Sequence, residues 1–393
     1  MIKGFLNKHQ FALKWLGIAF VIKLALFIYF AINFYKNTPA DLVSNFIFIY
    51  SGDTTGYYEP MDSFVNGTGY DSFCRMPGML PIYYLLRLIF SAMWAKTWMI
   101  VLQFVTSTVS VYVLALIAKT VFKKDRIFYI TFFLYAFSSF VSIWDHKGYA
   151  DSFSTSFLIY SFYFLLLSKS GRQNSNILIS SLFITWAVFI RPIVGIAIPL
   201  FVLFYLFDLK NLKQTFKTCF LFSLPIVFFL FLWAQRNYTQ TGKLIVLQGP
   251  LSECFPGLTP ELLSIRDLVV SWGGDTQPWA KGSDGEWFFQ KKTAAAEPES
   301  KGIYTAAYNL DSLIKLREIF LLTFKDSLPP AQRSDYKNYV NSKTKIYVES
   351  YSQEQPVKYF FVNNLLLVKR FVFPSRLDGL PFPKLSEMSL LQK

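Results

Sequence analysis

Five ionisable residues, Asp53, Glu59, Asp62, Asp71 and Arg75, fall in one stretch that follows a long apolar run. A second group, Asp145, His146, Lys147 and Asp151, follows another such run, and Arg191 and Arg236 each stand at the end of one. Together these residue types suit one kind of chemistry. A carboxylate can take a proton from an attacking hydroxyl. Arginine and lysine can hold a phosphate and stabilise the charge that develops as it leaves. Metal chemistry has less to draw on. The 3 cysteines and 2 histidines show no Cys-x-x-Cys or His-x-x-x-His spacing, which argues against a zinc site.

Plain structural roles compete for each of these residues. A carboxylate in an aqueous loop is usually only solvated. Asp151 opens an apolar run and could serve as a helix N-cap. Arg191 and Arg236 could anchor at lipid headgroups, and His146 reads better as a neighbour of water than as a base.

The elements that carry these groups must cross a bilayer. The chain of 393 residues is 53% hydrophobic and only 16% charged, a balance that soluble domains seldom show. Apolar runs cover 15–34, 97–116, 128–143, 153–167, 177–190, 193–207 and 218–233. Several approach the roughly 20 residues that cross a hydrocarbon core of about 30 Å. The expected class is an all-α polytopic membrane protein. The first run is too long for a cleaved signal peptide and reads as a retained anchor. Lys23 lies inside it and is expected to snorkel to the cytoplasmic surface.

The net charge of +14 does not point to nucleic acid, because the lysines and arginines gather at the ends of apolar runs. Lys3, Lys8 and Lys14 place the N-terminus in the cytoplasm. If Met79–Trp94 lies along the outer surface as an interfacial helix, the cluster Lys119, Lys123, Lys124 and Arg126 returns to the cytoplasmic side. The remaining loops then agree. Seven spans result, with a first outer loop at 35–96, a short outer turn at 144–151, a tight outer turn at Arg191-Pro192, and an outer region from Arg236 onward. The tail is expected to hold helices within Ala306–Phe324 and Lys337–Phe373, and "NNLLLVKRFVF" (Asn363–Phe373) is too short and too basic to span. Cys74 and Cys254 both fall outside, where a disulfide between them is permitted, with free thiols as the alternative.

With these residues in order, the chain resembles the GT-C superfamily of membrane glycosyltransferases, in the branch of protein O-mannosyltransferases and the lipid A aminoarabinose transferase. "SGDTTGYY" (Ser51–Tyr58) resembles the acidic first-loop motif, with Asp53 at the catalytic carboxylate. "FCRMPGMLPIYYLL" (Phe73–Leu86) resembles the Arg-x-Pro-Gly stretch leading into a juxtamembrane helix, and "KGYADSFSTSFLIY" (Lys147–Tyr160) the second-loop segment, with Asp151 at its acidic position. "FIRPIVGIAIPL" (Phe189–Leu200) and "WAQRNYTQTGKLIVL" (Trp233–Leu247) are similar to the later Arg-Pro and Arg-Asn-Tyr segments. "WGGDTQPW" (Trp272–Trp279) is similar to a stretch of bacterial members, with no chemistry attached.

The resemblance implies a GT-C-like helical bundle at 1–235, with juxtamembrane helices in its first outer loop, and an extracytoplasmic region at 236–393. It implies transfer of a sugar from a polyprenyl-phosphate carrier to an acceptor hydroxyl, on the outer face of a bacterial cytoplasmic membrane. Asp53 would act as base or orient the acceptor, and Asp151 would orient a cation or a sugar hydroxyl. Arg75, Lys147, Arg191 and Arg236 would hold the lipid phosphate, alongside Tyr57 and Tyr58. No metal or cofactor is required, and the partners are the lipid-linked sugar, membrane lipids and an acceptor of unknown kind. The first loop carries Asp-Thr where close relatives of the named enzymes carry Asp-Glu, so the sugar does not transfer. Many members carry further spans after the outer region, so the chain reads either as a compact member or as a product that ends short of them. The alternatives are a transporter or flippase of a lipid-linked saccharide and a non-catalytic accessory subunit.

Overall fold

A computed structural model describes residues 2–37, 54–169, 173–206, 212–249, 254, 259–276, 284–289 and 302–372. Among these the elements are helical, and an isolated bridge between Thr305 and Tyr308 is the one extended pairing. The chain divides into two units, the first ending at Gly249 and the second covering Pro250–Leu377.

In the first unit α1 runs over Ile2–Asn37, α2 over Thr54–Val65 and α3 over Leu80–Arg87. They are followed by α4 (Ala92–Phe122), α5 (Asp125–Ala136), the single turn α6 (Ser139–Ser142), α7 (Asp151–Leu167) and α8 (Gln173–Ile190). A 3₁₀ turn at Pro192–Ile196 leads into α9 (Ala197–Leu206) and then α10 (Leu212–Thr241). Among the described residues four stretches, against the seven spans expected, are long and apolar enough to cross a membrane: Gln10–Asn33, Ala92–Phe122, Gln173–Ile190 and Lys213–Thr241. The helices α7 and α9 are apolar but shorter.

Two of the expected elements differ. The run at 128–143 is not one helix, because α5 ends at Ala136 and Ser138 is extended, so the chain restarts at Ser139. The stretch Met79–Trp94 is likewise broken. Its helical part α3 covers 8 residues, about 12 Å at 1.5 Å per residue and far short of a bilayer, and Ala92 already belongs to α4.

Lys23 does not snorkel. It is fully buried and pairs with Asp145 at 2.6 Å, while its ammonium also donates to Ser142 Oγ at 3.0 Å. Asp145 in turn accepts from Ser152 Oγ at 2.6 Å, which ties α1 to the start of α7. An ammonium inside an apolar span is held more firmly by a buried carboxylate than by a stretched path to water.

Small polar residues let these helices approach closely, as in membrane bundles generally. Ser161 on α7 and Ser180 on α8 each donate to the other's carbonyl, at 2.7 and 2.8 Å. Pro225 inside α10 removes one backbone donor, and Ser181 of α8 donates to the Phe222 carbonyl in the same turn.

The first unit extends past residue 235 because α10 continues to Thr241 and the following chain folds back on it. Asn237 Nδ2 donates to Ile245 O at 2.9 Å, Trp233 Nε1 to Leu247 O at 2.7 Å, and Gly249 N to Phe73 O at 3.0 Å.

The second unit contains α11 (Pro260–Ser271), α12 (Asp284–Phe289), α13 (Leu310–Leu322), α14 (Pro330–Glu354), a π-helical turn at Lys358–Val362 and α15 (Asn363–Val372). The helices expected within Ala306–Phe324 and Lys337–Phe373 are present. The second begins earlier, at Pro330, and breaks at Gln355, just before Pro356. Leu268, Trp272, Phe288, Leu316, Phe320 and Tyr351 form its core. The start of "WGGDTQPW" closes α11: Gly273 takes φ +74 and the amides of Gly273 and Gly274 donate to Val270 O and Val269 O. A left-handed glycine at this position is the usual end of a helix.

Candidate functional site

The site is assembled on Tyr57. The first turns of α2 present Tyr57 to one side and Tyr58 to another. The Arg75 guanidinium lies over the Tyr57 ring at 4.7 Å and its Nη1 is 3.5 Å from the phenol oxygen. Arg191 lies over the same ring at 5.6 Å. Each such contact contributes about 0.5–2 kcal/mol, depending on how far the cation is desolvated. Arg191 also forms an ion pair with Asp151. One aromatic ring thus gathers two guanidiniums and, through Arg191, a carboxylate from three distant parts of the chain.

Backbone chemistry explains each placement. Arg191 precedes Pro192, which drives it out of the helical region to φ −140 and ψ 103, so α8 stops and the side chain leaves the helix. Asp151 is the first residue of α7 rather than its N-cap, which is Ala150. Its carboxylate still sits where the helix dipole favours negative charge, yet it is used on Arg191.

Arg75 is held by the loop around it. Its amide donates to Ser72 Oγ at 3.2 Å and its carbonyl accepts from Tyr70 Oη at 2.9 Å. The loop itself is pinned by Gly78, whose amide donates to Phe189 O at 3.0 Å and whose carbonyl accepts from Trp186 Nε1 at 2.7 Å. A Cβ on Gly78 would stand 2.4 Å from Ile190 N and from the Phe189 carbonyl carbon. Only glycine admits this approach, which brings the Arg75 loop against the end of α8 just before Arg191.

Lys147 reaches the same neighbourhood by a different route. It lies over Trp144 at 4.9 Å and Tyr149 at 5.8 Å. Burial pushes its ammonium down to about 8, with the Asp151 charge pulling the other way. Gln103 of α4 fixes this turn, as its Nε2 donates to the carbonyls of Trp144 at 2.5 Å and Lys147 at 3.0 Å.

Arg236 occupies an adjoining position. It lies over Trp233 at 5.0 Å and Tyr70 at 5.7 Å, and donates to Ser72 O at 2.9 Å and to Asn237 Oδ1 at 2.8 Å. Its second terminal nitrogen is buried and meets no acceptor among the described residues. Burial pushes the Tyr70 hydroxyl well above its ordinary range, with Arg236 and Arg75 pulling the other way. Tyr70 therefore stays a neutral donor, and its bond to Arg75 O joins the Arg236 and Arg75 positions.

Asp53 lies outside the described residues. Tyr58 does not join Tyr57 and the two arginines. It packs edge-on against Tyr83 at 5.5 Å and beside Lys96 at 5.7 Å. That second group centres on Asp62, which accepts from Tyr83 Oη at 2.5 Å and pairs with Lys96 at 2.8 Å.

His146 is also not a neighbour of water. It is buried, stacked on Phe30 at 5.9 Å with Phe27 edge-on at 6.3 Å, and burial with nearby Lys147 pushes it down to about 3. A neutral imidazole packed on aromatic rings serves the core.

Sequence reasoning missed Gln103, Gly78 and the Lys23–Asp145 pair. Gln103 carried a readable signal, since an amide within a long apolar helix must find polar partners. No family model, curated protein or solved structure matches the chain.

Proposed function

We propose that this protein is a GT-C-like glycosyltransferase that uses a polyprenyl-phosphate sugar. In this reading Arg75, Arg191, Lys147 and Arg236 hold the lipid phosphate. Asp151 orients Arg191, and Asp53 acts as base on the acceptor hydroxyl or orients it. The acceptor oxygen attacks the anomeric carbon while the bond from that carbon to the phosphate oxygen breaks, and polyprenyl phosphate leaves with the electron pair. The observation that carries the proposal is the pairing of Arg75 and Arg191 over Tyr57, with Asp151 in ion-pair contact with Arg191. Two guanidiniums fixed over one ring offer planar, forked donors that suit a phosphate diester better than a neutral ligand.

Binding of short-chain polyprenyl phosphate to the protein in lipid nanodiscs tests the assignment. Truncating one buried member of a charged contact costs about 2–5 kcal/mol, so Arg191→Ala should weaken binding on the order of a hundredfold. Arg87→Ala, at the far end of α3, should leave it unchanged. Equal affinities for all three proteins would remove the phosphate from this cluster.

Transport of a lipid-linked saccharide is the second reading, favoured by the buried Lys23–Asp145 pair at an apolar span. Ionisable groups within spans are characteristic of transport pathways. Carriers whose sugar appears on the other leaflet still attached to phosphate would support it over transfer.

A further inference from the structure

The second unit ends in an apolar face that its own core does not use. Tyr359 and Asn363, four residues apart, turn inward: Tyr359 packs on the core, and Asn363 Nδ2 donates to Ser271 O at 2.9 Å and Tyr351 Oη at 3.3 Å. The glycine that ends α11 makes room for this, since a Cβ on Gly273 would lie 3.3 Å from Asn363 Cβ. On the opposite side Val357, Phe361 and Leu365 follow one another at four-residue spacing and are 66%, 67% and 69% exposed. Phe360, Val362 and Leu366 widen the patch. A soluble surface rarely leaves so many large apolar residues contiguous without a partner.

The charge around the patch identifies that partner. Lys358, Lys369 and Arg370 lie in the segment, and no Asp or Glu occurs between Glu354 and Asp378. The π-helical turn and α15 together rise only about 22 Å at 1.5 Å per residue, too short for a hydrocarbon core of about 30 Å. A short helix with an aromatic apolar face and basic residues lies in the plane of an anionic lipid surface. The chain also brings its own bilayer, since four helices among the described residues are long and apolar enough to cross one.

We infer that the π-helical turn and α15 form an interfacial helix. It lays Val357, Phe361 and Leu365 into the headgroup boundary of an anionic bilayer, with Asn363 holding it to the second unit. This anchor does not depend on the transfer reaction proposed above.

The test uses the full chain with Cys219→Ser, reconstituted in mixed phosphatidylethanolamine and phosphatidylglycerol vesicles. Nitroxide labels are placed singly at Leu365→Cys, Phe361→Cys or, as an aqueous reference on α14, Gln353→Cys. All three positions are exposed, so labelling leaves the fold intact. Collision rates with oxygen and with a water-soluble nickel chelate report depth. The expected result is a several-fold higher oxygen-to-chelate ratio at positions 361 and 365 than at 353, reduced when Lys358, Lys369 and Arg370 are changed to Glu. Ratios at 361 and 365 equal to that at 353 would overturn the inference. Protection from both colliders would overturn it as well, because the face would then be covered by protein.

Discussion

Replacing Gly78 by alanine should be far more damaging than its single added methyl suggests. The new Cβ would sit 2.4 Å from two backbone atoms at the end of α8 and 2.5 Å from the Phe189 oxygen. Ordinary contact begins at 3.4 Å, and backbone cannot rotate aside as a flexible side chain can. The loop must therefore retreat by about 1 Å. That movement would break the 3.0 Å bond from Gly78 to Phe189 O and the 2.7 Å bond from Trp186. Overpacking costs about 1–3 kcal/mol and each lost hydrogen bond about 1 kcal/mol, so a total of about 3–5 kcal/mol is expected. The displacement also draws Arg75 away from Arg191. Gly56→Ala is the matched control, because its Cβ would meet only Arg75 Nε, at an ordinary 3.7 Å. Thermal unfolding in detergent, read beside polyprenyl-phosphate affinity, measures both consequences. Gly78→Ala should unfold several degrees lower and bind the lipid phosphate more weakly, while Gly56→Ala should match the parent. Equal unfolding temperatures for all three would refute the close approach of this loop to α8.

Other outcomes follow from the same geometry. Lys23→Met alone leaves Asp145 buried without its cation, and should cost about 3–5 kcal/mol by thermal unfolding, with much of the loss recovered in Lys23→Met/Asp145→Leu. Lys147 is held near 8, below its ordinary value, so lipid-phosphate affinity should fall as pH rises through about 8. Lys147→Arg should remove that dependence. The sign for folding is the opposite one. Above about 8 the unfolded lysine holds a proton that the folded one has released, so stability contributed by this group rises with pH there, which separates the two effects. Alkylation of the denatured protein without reductant should modify Cys219, whose thiol is free.

Much of this arrangement was legible in the residues. Apolar runs foretold the helices, since a span of lipid-compatible length leaves few conformational choices. The Arg-Pro pair at 191 foretold a helix end that carries a cation, and Asp151 foretold a carboxylate at the start of a helix. What the chain did not disclose was pairing across distance. Lys23 and Asp145 are remote in sequence, and nothing near either residue names the other. Tyr57 and Tyr58 are adjacent, so sequence treated them alike. On α2 neighbours point about 100° apart, which sends one to the arginines and the other to Tyr83. Gly78 showed only as the glycine of the Arg-x-Pro-Gly stretch, because its importance lies in the backbone of α8 that approaches it.

The measurement that bears most directly on the proposed activity is release of polyprenyl phosphate from a small panel of polyprenyl-phosphate sugars. Purified parent and Asp53→Asn proteins are compared in lipid, with membrane extract supplied as acceptor. The proposal predicts release by the parent and its collapse in Asp53→Asn, with lipid-phosphate binding retained in both. Binding by both proteins with the sugar still attached to every carrier would contradict it.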